Sequence, residues 1–151
     1  DQIIALLARD LQATGRLKNE TVVVTSMSNL GLHRALTALG IAAIVTDVGD
    51  RYVLEAMLEH DAVLGGEQSG HVIVLDRQTT GDGVISAVLL LDALARAGET
   101  LAAAASLVTR FPQKLVNVPA DRTRLAGNRA ACRPGRTKSC RLNAPQRPLF
   151  Y

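Results

Sequence analysis

Gly65-Gly66-Glu67-Gln68-Ser69-Gly70-His71 places a carboxylate, an amide, a hydroxyl and an imidazole within seven residues, spaced by three glycines. Carboxylate, amide and hydroxyl accept or donate hydrogen bonds in fixed directions, which suits a ligand rich in hydroxyl groups. Glycine permits tight turning and close approach of a ligand to the backbone. Glu67 and Ser69 lie two apart, so on extended backbone both would point to one side. The competing reading is a polar hairpin turn facing water, because Gly, Ser and Gln are ordinary turn residues. Ser69 does not fit a nucleophile elbow, since the G-x-S-x-G pattern needs glycine where Glu67 stands. His71 has a near-neutral reference pKa, which allows it to meet a phosphate or a hydroxyl; a structural histidine is the alternative.

A second polar group is Asp47, Asp50 and Arg51. Two carboxylates three apart with no third ligand make a weak metal site, and Asp50 is expected to cap a helix. Arg51 is a possible anion contact. Loops at the carboxyl ends of parallel strands tend to line ligand crevices, and Ser26, Ser28 and Asn29, which follow another apolar run, could line the same one. Thr80-Gly81-Asp82-Gly83 lacks the GxxxxGK[ST] pattern, so it is read as a helix start with Asp82 as cap. His33 and His60 fall on helical faces and carry no functional expectation.

The elements that must hold these groups alternate. Ile3, Ile4, Leu6, Leu7 and Leu11 have helical spacing after Asp1, an expected N-cap, with Gly15 as stop. Thr21–Thr25 and Ile41–Thr46 read as buried strands, and Asn29–Leu39 as a helix ending at Gly40. Asp50 to His60 reads as a helix with Arg51, Glu55 and Glu59 on its wet side. Asp61–Leu64 and Val72–Leu75 flank the heptapeptide as a hairpin. Asp82 to Ala97 reads as a long buried helix, Leu101–Val108 as a short one, and Lys114–Val118 as a closing strand. Strand–helix alternation predicts an α/β domain with a mixed, mostly parallel sheet of about four strands and helices on both faces.

Charge is unevenly placed along the 151 residues. The net charge of +3 divides into −4 for residues 1–119 and +7 for residues 120–151. The second segment holds Cys132 and Cys140 and three of the five prolines, with too little apolar content to fold. It is expected to be a disordered basic tail, either a truncated or frame-shifted end or a binding arm for phosphates. It lacks interleaved aromatics, so nucleic acid is not the expected partner. Two cysteines with seven residues between them indicate neither a zinc cage nor a disulfide framework. No apolar run has the length of a membrane span and no signal peptide opens the chain, which fits a cytoplasmic protein without a membrane partner.

The heptapeptide resembles the sugar-recognition loop of the α-D-phosphohexomutase superfamily, and Gln68 in its middle resembles the phosphoglucosamine mutase branch. Met27-Ser28-Asn29-Leu30-Gly31-Leu32, Val48-Gly49-Asp50-Arg51-Tyr52-Val53 and Thr79-Thr80-Gly81-Asp82-Gly83 match in order and spacing. Phe111-Pro112-Gln113-Lys114 with Val116-Asn117-Val118 is similar to the end of that family's third domain. The resemblance runs from Asp1 to about Leu125 and implies a third-domain fold over 1–119. It further implies that Glu67 and Ser69 grip sugar hydroxyls, helped by Gly66, Gln68, Gly70 and His71, with Asp50 and Arg51 facing the same site. The family transfers a phosphoryl group from a phosphoserine in a TASHNP-like segment, with magnesium in a DGDxDR-like loop and a phosphate clamp in an RPSGTEP-like loop. None of the three occurs in this sequence, so no catalytic residue, metal ligand or cofactor of its own is expected. The implied partners are an amino-sugar phosphate and the remaining mutase domains. Two rival expectations are a stand-alone sugar-phosphate-binding module with a basic arm, and a non-functional remnant.

Overall fold

The computed structural model describes residues 1–116 and 149–150, in two compact units that divide after Phe111. In the first, β1 (Thr21–Thr25), β2 (Ala42–Thr46), β3 (Leu64–Gly66) and β4 (Val72–Val74) form one sheet in the order β2-β1-β3-β4. β1 runs parallel to β2 and β3, while β4 pairs antiparallel with β3. The mixed, mostly parallel sheet is thus the one the alternation predicts.

Side-chain alternation divides the core into two layers. Val22, Val24, Val72 and Val74 point to the face covered by α1 (Gln2–Ala13) and α2 (Leu30–Ala38), where they meet Ile4, Leu7, Leu11, Leu32 and Leu36. Val23 and Ile73 point to the other face, against Val53 and Met57 of α3 (Asp50–Glu59). All three valines of β1 are fully buried. At about 1.5–3 kcal/mol for each such side chain, this strand anchors both layers. Helices on both faces explain why β1 reads as an unbroken apolar run.

Gly65 and Gly66 are packing residues of β3. A Cβ at Gly65 would lie 2.5 Å from Met57 Sδ and 2.9 Å from Val53 Cγ1. At Gly66 it would lie 2.8 Å from the His71 carbonyl oxygen and 3.1 Å from Ile4 Cδ1. Neither residue has a positive φ, so their small size serves close packing of helices on the sheet.

Several expectations are corrected. β2 is an edge strand with Val45 54% exposed, because β1 pairs with it on one side only and two helices cover it in part. α4 (Gly83–Ala97) is not buried throughout: it leans on α1 and β4, and Val84, Val88 and Leu91 are exposed. Asp1 sits at the cap position of α1, but its Oδ2 accepts from Asn29 N–H at 3.0 Å instead of bonding its own helix. The cap position of α3 is Gly49, with φ +134°, and Asp50 is the first helical residue. Asp82 does cap α4, accepting from Val84 and Ile85 N–H at 2.7 and 2.9 Å, and Gly98 ends it in the left-handed region.

The short helix α5 spans only Leu101–Ala105. Asn29 then fastens the end of the unit. Its Oδ1 accepts from Gly31 and Phe111 N–H at 3.0 and 2.9 Å, and its Nδ2 donates to Phe111 O at 2.8 Å. Arg34 stacks over the Phe111 ring, 4.6 Å from its centroid. Gly31 is required beneath this clamp, since a Cβ there would sit 2.0 Å from the Thr109 carbonyl oxygen. The first compact unit spans Asp1–Phe111. In the second unit, of the expected closing strand Lys114–Val118 the described residues include β5 (Leu115–Val116), antiparallel to β6 (Leu149–Phe150), and residues 117–118 lie outside them. The rest of the expected basic tail, with Cys132 and Cys140, lies outside the described residues.

Candidate functional site

Three segments of the first unit converge beyond the carboxyl end of β1: the loop from β2 to α3, the β3–β4 turn, and the approach to α4. Ligand crevices of α/β sheets occupy this position. β2 and β3 flank β1, yet Gly49 N–H donates to Glu67 Oε1 at 2.8 Å. The β2–α3 loop therefore crosses the end of β1 to reach the turn. That bond leaves Glu67 half-buried and fixes one carboxylate oxygen.

The expected extended geometry of residues 67–69 is not what brings Glu67 and Ser69 together. Glu67 N–H donates to His71 O at 2.9 Å and Gly70 N–H donates to Glu67 O at 3.1 Å, closing a turn with Gly70 at φ +102°. Ser69 Oγ lies 3.5 Å from Glu67 Oε2, the oxygen that Gly49 does not hold. Gln68, Ser69 and Gly70 are exposed at the tip, whereas Gly66 is buried in β3. The turn thus presents one anchored carboxylate beside one hydroxyl, a pairing able to accept from and donate to neighbouring hydroxyls.

His71 is half-buried behind the turn, and its Nε2 accepts from Gly81 N–H at 3.2 Å. Asp50 Oδ2 stands 3.7 Å from the same nitrogen. Arg51 is highly exposed and lies along α3, its Nε donating to Glu55 Oε1 at 2.8 Å. This ion pair raises the guanidinium above its ordinary pKa, so Arg51 stays cationic. The structure therefore brings Glu67, Ser69, His71 and Asp50 together and sets Arg51 at the margin.

Ser26 is exposed at the end of β1, while the Thr25 and Ser28 hydroxyls are buried there without a hydrogen-bond partner among the described residues. Asn29 is committed to the Phe111 clamp rather than to the crevice. His33 is half-buried and His60 ends α3. Sequence reasoning missed Gly49 as the anchor of Glu67 and Gly81 as the partner of His71. Both stand in segments already singled out, but backbone donors leave no side-chain signature.

Residues 1–111 match the family described as phosphoglucomutase/phosphomannomutase, alpha/beta/alpha domain III. The chain is 55% identical to phosphoglucosamine mutase of Rubrobacter xylanophilus over 131 residues, 87% of this chain and 29% of that protein. It is 56% identical to phosphoglucosamine mutase of Acidothermus cellulolyticus over 126 residues, 83% of this chain and 27% of that protein. A phosphoglucomutase/phosphomannomutase family protein from Burkholderia thailandensis superposes with a TM-score of 0.58 at 25% identity, covering 78% of this chain and 24% of that one. N-acetylglucosamine-phosphate mutase in its substrate complex, a member of the α-D-phosphohexomutase superfamily, superposes with a TM-score of 0.65 at 22% identity, a likeness of fold, over 82% and 31%. The chain spans under a third of the length of these curated relatives. By its matched residues and its sheet, the chain belongs to the domain III family of the phosphoglucomutases and phosphomannomutases.

Proposed function

We propose that this chain is the sugar-recognition segment of a phosphoglucosamine mutase, whose complete form interconverts glucosamine 6-phosphate and glucosamine 1-phosphate. The observation that carries the reading is the Glu67–Ser69 pair on an exposed turn, with Glu67 tied at one oxygen to Gly49 N–H. A carboxylate so anchored keeps its direction while its second oxygen accepts from ligand hydroxyls, and charged hydrogen bonds of this kind are the stronger ones. Ser69 donates or accepts beside it, Gln68 and the backbone of Gly70 complete the rim while Gly66 packs beneath it in β3, and His71 meets a hydroxyl or phosphate oxygen. Asp50 and Arg51 border the site.

The chemistry of phosphoryl transfer belongs to the remaining domains of the mutase, which are this segment's partners in the cytoplasm. A complex of the Aspergillus fumigatus N-acetylphosphoglucosamine mutase contains GlcNAc-6P and magnesium. In this chain, no group of three or more His, Cys, Asp or Glu that could hold a metal ion occurs among the described residues. Magnesium would then be held by the other domains of the complete enzyme. Recognition without chemistry is the role left to the segment.

The test is a hybrid. Residues 1–111 replace the matching third domain of an intact phosphoglucosamine mutase, and turnover of glucosamine 6-phosphate is measured. Turnover comparable to the parent is expected. A hybrid that is folded by circular dichroism yet inactive overturns the proposal.

A further inference from the structure

We propose that Gly81 is a positioning residue for His71: its amide decides which ring nitrogen carries the proton, and its missing side chain makes room for the ring. The proposal deepens the recognition site and rests on that reading only for the use to which the imidazole is put. Two observations meet here. Gly81 N–H donates to His71 Nε2 at 3.2 Å. A Cβ at position 81 would lie 2.6 Å from His71 Cδ2 and 2.7 Å from both Cγ and Nε2, all atoms of the same ring. Gly81 has no positive φ, so backbone conformation does not require glycine at this position. The space taken by the imidazole does.

The consequence follows from histidine chemistry. A ring nitrogen that accepts a hydrogen bond carries no proton, so neutral His71 holds its proton on Nδ1. Among the described residues no hydrogen bond occupies Nδ1. His71 therefore offers a ligand a donor, without first taking up a second proton, and the ligand atom it suits is an acceptor oxygen of a hydroxyl or phosphate. Asp50 Oδ2, 3.7 Å from Nε2, lies outside hydrogen-bond distance and finds no proton there. Placing the proton on Nε2 instead would set it against the Gly81 N–H and turn the ring toward Asp50. Gly81 thus selects between two tautomers of one ring.

The experiment uses the full chain without ligand, so its outcome is independent of the hybrid test above. Long-range proton–nitrogen spectra of the histidine rings, with His71 identified by its loss in His71→Gln, report the tautomer directly. The expected major neutral form carries its proton on Nδ1, and in Gly81→Ala the proton moves to Nε2. A wild-type ring protonated on Nε2, or a Gly81→Ala ring unchanged, overturns the proposal. A second reading needs no variant. Protonating His71 removes the acceptor, so the Gly81 amide proton should shift with the same midpoint as the ring. An amide that ignores the ring's titration overturns it equally.

Discussion

Replacing Asn29 with alanine removes the fastening of the whole first unit, and the structure gives the size of the loss. Asn29 is 3% exposed, and its side chain bonds Gly31 N–H and both backbone groups of Phe111. Loss of the helix cap costs about 1 kcal/mol. Each bond to Phe111 contributes roughly 0.5–1.5 kcal/mol, so the total approaches about 3 kcal/mol. With an m-value of about 2 kcal/mol/M in urea, the unfolding midpoint should fall by about 1.5 M. Asn29→Ser separates the contributions, because its short hydroxyl can still cap α2 but does not span to Phe111. That variant should lose only the Phe111 share, about 1–3 kcal/mol for the two bonds. Unfolding followed by far-ultraviolet circular dichroism measures both. An Asn29→Ala loss below about 1 kcal/mol, or equal losses for the two variants, would refute the reasoning that the clamp closes the unit at Phe111.

Gly65→Ala should destabilise by about 1–3 kcal/mol, because the added carbon meets Met57 Sδ and Val53 Cγ1 and pushes α3 off the sheet; an unchanged urea midpoint would show that α3 yields freely. Burial holds His33 below its ordinary pKa, so the unfolded chain takes up that proton first. Stability from this source is complete above about pH 6.5 and falls as pH drops toward the lowered value. His33→Gln should flatten that part of the pH–stability curve, and an unaltered slope contradicts it. The chain by itself should show no mutase turnover with glucosamine 6-phosphate, magnesium and a bisphosphate activator. Turnover above a buffer control, in protein free of host mutase, contradicts that expectation.

Much of this fold was legible because its signals are local. The valines of β1, the Asp82 cap, and the glycine stops at Gly15, Gly40 and Gly98 each declare themselves within a few residues. What failed depends on neighbours. Ile41–Thr46 and α4 are as apolar as buried elements, but β2 lies at a sheet edge and α4 is covered on one side, and neither position is written in its own composition. At the site, the side chains of Glu67, Ser69 and His71 could be picked out by type. Their holders could not: Gly49 and Gly81 act through backbone N–H groups, and the reach of the β2–α3 loop across β1 is a property of the folded sheet. Conversely Gly65 and Gly66 look like ligand-approach glycines and prove to make room for α3, for Ile4 and for the hairpin backbone at His71.

The central claim is that the Glu67 carboxylate binds sugar hydroxyls, and the most direct measurement is kcat/KM of Glu67→Ala in the hybrid mutase. Losing a charged hydrogen-bond acceptor should cost roughly 1.5–3 kcal/mol, which lowers kcat/KM about 10- to 150-fold. Ser69→Ala, losing a neutral bond, should cost only about 0.5–1.5 kcal/mol. Circular dichroism should be unchanged for both, since the turn contributes little to the core. Full kcat/KM in the Glu67 variant, or outright unfolding, would contradict the account, the second outcome showing that Glu67 serves the Gly49 bond and the fold alone.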